Sequence, residues 1–282
     1  LSLHDALPIF GNGDGTFQAA AAYGSGCCGQ TSVAVADVNG DGKPDLLVTK
    51  GNADTVVGVM LGNGDGTFGA LIPNKTAVAT TLSVGDFNGD GIPDLVGSDG
   101  GGHLTVLLGN GDGTFRAGMP VAIQDSNDPL IVNQTDIAVG DFNQDGLLDI
   151  AVSYLQDNTV QVLLNNGSNG FNASTTYAVG NQPYWVASAD VNSDGYADLV
   201  TANTTDGTVS VLLNNGNGTF TAAVPYTVGK QPYQVAIGDV NGDGYPDLAV
   251  SNYGANTVSI LFGSKTGTFT AASTLSTCAN PY

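Results

Sequence analysis

The chain has 282 residues, 41% of them hydrophobic, enough for one large domain or two ordinary ones. Its 26 acidic residues, every one an aspartate, face six basic ones, for a net charge of -20. A surface so negative and without basic clusters argues against nucleic acid and anionic membranes as partners, and no apolar run approaches the ~20 residues that cross a bilayer.

Glutamate, a good helix former, is absent, while aspartate and 41 glycines favour turns, so the composition points to an almost all-β chain. Cys27, Cys28 and Cys278 are too few for a disulfide framework, and their spacing fits no zinc site. Residues 1–9, "LSLHDALPI", resemble nothing downstream. Read back into codons they coincide with part of a widely used sequencing adapter, so they are expected to be non-native, and His4 and Asp5 are left out of any site.

From Phe10 onward the text is periodic. "FGNGDGTF" (10–17) is the tail of a unit whose beginning is missing. The first full unit then reads "SVAVADV" (32–38), an Asp-rich loop, "DLLVT" (45–49) and "TVVGVMLGN" (55–63). The alternation of these segments is that of strands. An Asn-Gly or Asp-Gly turn, supplying the φ > 0 residues of a tight hairpin, leads to a fourth strand starting at Phe68. The loop recurs with its first Asp at 37, 86, 141, 190 and 239, in steps of 49, 55, 49 and 49. A hairpin phenylalanine keeps the same beat at 17, 68, 115, 171, 220 and 269. Four-stranded antiparallel units of about 49 residues predict blades of a β-propeller rather than the shorter rungs of a solenoid. The reading is five complete blades over residues 10–282 with a partial blade at each end, a sixth loop falling due just past Tyr282.

Each loop follows one recipe, quoted at its first copy as "DVNGDGKPD". Side chains at positions 1, 3, 5 and 9 are Asp, Asn, Asp and Asp; position 6 is a glycine able to fold the loop back, and the carbonyl of position 7 can face the same point. The candidate metal ligands are therefore Asp37, Asn39, Asp41, Lys43 (carbonyl) and Asp45 in the first loop. The second offers Asp86, Asn88, Asp90, Ile92 and Asp94, and the third Asp141, Asn143, Asp145, Leu147 and Asp149. The fourth offers Asp190, Asn192, Asp194, Tyr196 and Asp198, and the fifth Asp239, Asn241, Asp243, Tyr245 and Asp247. An all-oxygen set of this kind suits a hard cation, and Ca²⁺ with six to eight flexible ligands better than Mg²⁺. Five Ca²⁺ ions would bring the net charge from -20 to about -10. An EF-hand is excluded, because position 12 is Val48 and the loop runs into a strand.

Units of this length carrying "DxNGDGxPDL" resemble the FG-GAP (VCBS-type) repeats of integrin α-subunit propellers and many bacterial secreted proteins. The resemblance covers residues 10–282. It implies a parent ring of seven blades, Ca²⁺ loops on one rim, and ligands on the opposite face. It also implies an extracellular adhesion or interaction module whose partner is a protein or a glycan. The alternatives are a carbohydrate-binding lectin and the non-catalytic propeller of a larger secreted enzyme.

Tyr184, Trp185 and Tyr233 fall near blade junctions, where aromatics either stack on sugars or pack between blades, packing being the preferred reading. The long link "IQDSNDPLIVNQTD" (123–136) is a recognition loop or a tolerated insertion. Six Asn-x-Ser/Thr sequons occur, at Asn74, Asn133, Asn166, Asn172, Asn203 and Asn217. Catalysis finds no signature: His103 stands alone, no nucleophile elbow occurs, and Asp99, Asp125, Asp128 and Asp136 lack an obvious partner. The chain is read as a non-enzyme.

Overall fold

The computed structural model describes residues 16, 32–49, 57–74, 81–98, 104–121, 134–167, 170–171 and 175–277. The readings of residues 1–9, Cys27, Cys28, Cys278, His103, Asp99, Asp125, Asp128, Asn133 and Asn172 concern positions outside this set. Among the described residues there is no helix, and twenty strands form five four-stranded sheets.

Blade 1 is β1 (Val33–Ala36), β2 (Asp45–Thr49), β3 (Val57–Met60) and β4 (Ile72–Asn74). Blade 2 is β5 (Thr81–Gly85), β6 (Asp94–Ser98), β7 (Leu104–Gly109) and β8 (Phe115–Val121). Blade 3 is β9 (Gln134–Gly140), β10 (Asp149–Tyr154), β11 (Thr159–Leu163) and β12 (Thr175–Ala178). Blade 4 is β13 (Pro183–Ala189), β14 (Asp198–Asn203), β15 (Thr208–Leu212) and β16 (Val224–Thr227). Blade 5 is β17 (Pro232–Gly238), β18 (Asp247–Asn252), β19 (Thr257–Phe262) and β20 (Thr270–Ser276). Every sheet is an antiparallel meander in chain order, as the repeat predicts. The second strand of each blade is nearly buried on both faces, which explains its run of apolar residues in place of strict alternation.

Blades 1 and 2 form one unit of the chain and blades 3 to 5 another. In the first, Val38, Leu47, Val57 and Val59 of blade 1 form one core with Leu82, Leu95, Leu107 and Phe115 of blade 2. In the second, Phe142, Ala151, Val160 and Val162 of blade 3 meet Val186, Leu199, Leu212 and Phe220 of blade 4. Val191, Val200, Val209 and Val211 of blade 4 meet Val235, Leu248, Val250 and Leu261 of blade 5 in the same way. Branched side chains on facing pleats interdigitate here, and their removal from water is the main favourable term in holding blade to blade.

The hairpin phenylalanines do not all begin a strand. Phe68, Phe171 and Phe220 make single bridges, to Gly62, Asn165 and Asn214, and the strands proper start only at Ile72, Thr175 and Val224. In blades 2 and 5 the same place carries a register shift instead. The physical cause lies in the hairpin turn. Gly64, Gly66, Gly111, Gly113, Gly216 and Gly218 all take φ between 76° and 87°, and Asp65 and Asp112 each hold the N–H and hydroxyl of the threonine two residues on. These hydrogen bonds, led by the threonine hydroxyl, hold both carboxyls below the usual range. A turn closed this tightly leaves an extra residue to absorb, which the outer strand does by a bulge or a gap.

A second correlation links the loop to the end of the third strand. Where position 8 of the loop is proline (Pro44, Pro93, Pro246), the residue closing the third strand is Gly62, Gly109 or Gly263, and a Cβ there would run into the proline carbonyl oxygen. In blades 3 and 4, where position 8 is Leu148 or Ala197, the equivalent residue is asparagine. Asn165 and Asn214 donate from Nδ2 to that same carbonyl at 3.1 and 3.0 Å. Gly109→Ala is expected to cost about 1–3 kcal/mol, since the obstacle is backbone and cannot swing aside. A urea melt showing no loss would refute the close approach.

Candidate metal centre

Each Asp loop joins the first two strands of its blade, and it lies at the same end as the third-to-fourth hairpin. The position-7 side chain covers that hairpin: Lys43 lies over Gly64, Ile92 over Gly111, Leu147 over Gly167 and Tyr196 over Gly216. This explains why position 7 varies so freely in size and polarity, since its backbone belongs to the loop and its side chain to the turn.

Within the loop three hydrogen bonds recur in all five copies. The position-1 carboxylate accepts the N–H of the position-6 glycine at 2.7–2.9 Å. The position-3 amide oxygen accepts the N–H of position 5 at 2.8–3.0 Å. The position-5 carboxylate accepts the N–H of position 7 at 2.9 Å. The glycine at position 6 has φ between 78° and 91°, the left-handed turn the loop requires. Position 4 is also left-handed, and there Gln144 and Ser193 stand where the other loops have glycine. In loops 2 to 5 the position-3 asparagine also donates from Nδ2 to the second oxygen of position 5, at 2.8–3.0 Å. In the first loop that oxygen faces Lys43 Nζ at 3.6 Å instead. In those four loops Asn at position 3 does more than spare the loop a carboxylate: its oxygen and its amide group both engage position 5, accepting its N–H and donating to its carboxylate.

Position 9 is different. Asp45, Asp94, Asp149, Asp198 and Asp247 are fully buried. One oxygen of each accepts the N–H of position 2 at 2.8–3.0 Å. The other accepts the N–H of the residue closing the third strand, Gly62, Gly109, Asn165, Asn214 or Gly263, at 2.7–2.8 Å. The side chain that the sequence offers as a fourth ion ligand is thus a clasp tying three strands of the blade together. Nothing in the local spacing announces this, because one partner lies 15 to 17 residues downstream.

Electrostatics divide the loop the same way. Backbone N–H groups, that of the position-6 glycine foremost, hold the position-1 carboxyls of Asp37 and Asp239 below the usual range. Burial raises Asp94 and pushes Asp149 and Asp198 up to about 6, with the carboxylates at positions 5 and 1 adding to the rise. The donor types fit a hard cation, with carboxylate and amide oxygens on one short loop. Among the described residues, however, no three Asp, His or Cys side chains stand together as a ready metal cage. The loop oxygens are turned onto the loop's own N–H groups, and position 9 onto the hairpin.

The junction aromatics pack. Tyr184 and Tyr233 stack across blades 4 and 5 with ring centroids 4.2 Å apart and hydroxyls 2.5 Å apart, and Tyr253 continues the row at 6.2 Å. Trp185 lies against the core shared by those blades, its indole Nε1 buried without a partner. Asp136, for which the sequence offered no partner, is buried in β9 and accepts the N–H of Val186 in β13 at 3.1 Å. It pins blade 3 to blade 4, and burial pushes its carboxyl up to about 7. Asp206 caps the opposite end of blade 4, holding the backbone and side chain of Asn181.

A model of the FG-GAP-like repeat matches residues 7–48, 37–97, 86–152, 141–201 and 190–250, the last four spans each running from one Asp loop through the next. The chain belongs to the FG-GAP-like repeat family. No curated protein gives a significant match. Among solved structures, an Agrocybe aegerita lectin that recognises non-reducing terminal N-acetylglucosamine is 23% identical, with a TM-score of 0.65 over 98% of this chain and 75% of that one. BBS1N, solved in complex with ARL6DN, is 16% identical, with a TM-score of 0.60 over 88% and 68%. Virginiamycin B lyase from Staphylococcus aureus is 13% identical, with a TM-score of 0.54 over 86% and 69%. At such identities the likeness establishes the propeller-type fold of this FG-GAP-like chain, a fold that carries binding proteins and an enzyme alike.

Proposed function

We propose that this FG-GAP-like protein is a non-catalytic, extracellular interaction module whose five Asp loops each take one Ca²⁺. The observation that supports it is the fivefold repetition of one acidic loop with one shared set of backbone hydrogen bonds, at the surface, its clustered carboxylates met mainly by the loop's own N–H groups. Positions 1, 3 and 5 and the position-7 carbonyl would hold the ion, and the position-9 clasp would fix the strands that carry them. Bound Ca²⁺ supplies neutralisation of clustered carboxylates. The chain's own part is to keep positions 1 to 5 wrapped and ready.

Loops of this kind in extracellular modules bind Ca²⁺ at about 10⁻⁴–10⁻³ M, which is why the reading places the protein outside the cell. The partner class is a protein or a glycan. The N-acetylglucosamine lectin among the similar folds makes a glycan the second reading, which a glycan array in Ca²⁺ separates from the first. Binding energy from an ion that favours the folded state raises the melting temperature with its concentration. A rise on adding millimolar Ca²⁺, smaller with Mg²⁺ and reversed by chelator, is the expected result. An unchanged melting temperature would remove the calcium part of the proposal and leave the interaction part to the array.

A further inference from the structure

The Asp loops of blades 3 and 4 are joined to each other by hydrogen bonds that cross the blade junction. One set passes through Asn214, the residue closing the third strand of blade 4. Its Nδ2 group donates to the carbonyl of Phe142, position 2 of the third loop, and to that of Ala197, position 8 of the fourth, each at 3.0 Å. Its backbone N–H is one of the two held by the clasp Asp198, at 2.8 Å. Phe142 is fixed on both sides, its N–H held by the clasp Asp149 and its carbonyl also accepting the N–H of Gly218, in the blade 4 hairpin, at 2.9 Å. Phe142 and Asn214 are both buried, so these bonds form largely out of water, where each member of a network strengthens the next.

The other link is Gln144, at position 4 of the third loop. Its Nε2 donates to the carbonyl of Gly195, position 6 of the fourth loop, at 3.3 Å. Gln144 holds φ at 60°, where three of the other loops have glycine. A glutamine kept in a conformation that suits glycine, with its side chain reaching the next loop, points to a positioning role. The junction of blades 4 and 5 is built differently. The places of Asn214 and Gln144 are taken there by Gly263 and Ser193, and the hairpin N–H of Gly267 turns back to Ser264 at 2.9 Å.

We propose that the third and fourth loops fill as a coupled pair, with Asn214 and Gln144 the positioning residues that pass the order of one loop to the other. The proposal rests on the reading that these loops take Ca²⁺. Phe142 immediately precedes the candidate ligand Asn143, and Ala197 immediately precedes the clasp Asp198. Ordering the third loop around an ion therefore fixes the Phe142 carbonyl and, through Asn214, the frame of the fourth. By linkage the effect runs equally in reverse. Loops 4 and 5, without these two links, fill independently.

Two reduced variants test the coupling. One keeps loops 3 and 4, the rest silenced by Asp41→Ala, Asp90→Ala and Asp243→Ala. The other keeps loops 4 and 5, through Asp41→Ala, Asp90→Ala and Asp145→Ala. Calorimetric titration with Ca²⁺ is expected to show the second ion entering the first variant about fivefold more tightly than the first ion, and no such gain in the second variant. Adding Asn214→Gly and Gln144→Gly to the first variant is expected to abolish the gain while both ions still bind. Hydrogen exchange supplies a readout that needs a single substitution. In Asp194→Ala, with the fourth loop silenced, Ca²⁺ is expected still to slow exchange of the Asn214 amide. Independent filling of loops 3 and 4, or Ca²⁺ binding to Asp194→Ala with no slowing at Asn214, would overturn the coupling and leave the calcium reading standing. Wild type binding no Ca²⁺ would remove both.

Discussion

Asp136→Asn is expected to stabilise the protein above about pH 7 and to flatten its stability at lower pH. The carboxyl sits buried between β9 and β13, and its folded-state value is raised from 3.8 to about 7. Between those values the folded chain keeps a proton that the unfolded chain has released, so stability falls as pH rises through that window. Above it the full penalty of a buried, unpaired charge is present. A shift of this size corresponds to roughly 4 kcal/mol at most. Asparagine keeps an oxygen for the Val186 N–H but brings an amide group that wants an acceptor, so the net gain is expected at about 1–3 kcal/mol. Urea melts of both proteins over the window decide the matter. A wild-type stability that does not move with pH would show that the carboxyl is not titrating where its burial puts it.

The second large effect is at the clasp. Asp198→Ala removes the acceptor for two N–H groups at once, those of Val191 and Asn214, in a site closed to water. Each orphaned donor costs about 1–3 kcal/mol, so a loss of about 3–5 kcal/mol is expected. The loss should be the same in chelator as in Ca²⁺, because the clasp acts through backbone. Asp194→Ala, which removes an exposed position-5 carboxylate, should cost far less in chelator and forfeit part of any Ca²⁺ stabilisation. If the two variants behaved alike in chelator, position 9 would be an ordinary loop residue and the clasp would be disproved.

These two residues show how unevenly the molecule could be read in advance. Blade length, strand order and the five loops were all legible, because a repeat of about 49 residues places equivalent residues in equivalent environments, and a meander needs only neighbouring strands to pair. The left-handed glycine at position 6 was legible for a local reason, since an Asx-rich turn needs φ > 0 there. The clasp role of position 9 was not legible because its second partner is at the far end of the third strand, and no spacing rule connects the two. Asp136 was opaque because its partner belongs to another blade. Tyr184 and Tyr233 were ambiguous because an aromatic at a junction reads the same whether its face meets a sugar or another ring.

By itself, then, the sequence determined the elements: all-β, four strands to a blade, and an acidic loop at the first turn of each. These follow from side-chain alternation, turn chemistry and the beat of the repeat, all short-range physics. Only the tertiary structure decided which aspartates face outward to the loop and which are buried as clasps, and which side chains of one blade meet those of the next. Burial and hydrogen-bond partnership across strands and blades depend on neighbours distant in the chain. That is why two aspartates of one loop meet opposite fates, Asp198 enclosed between strands and Asp194 exposed.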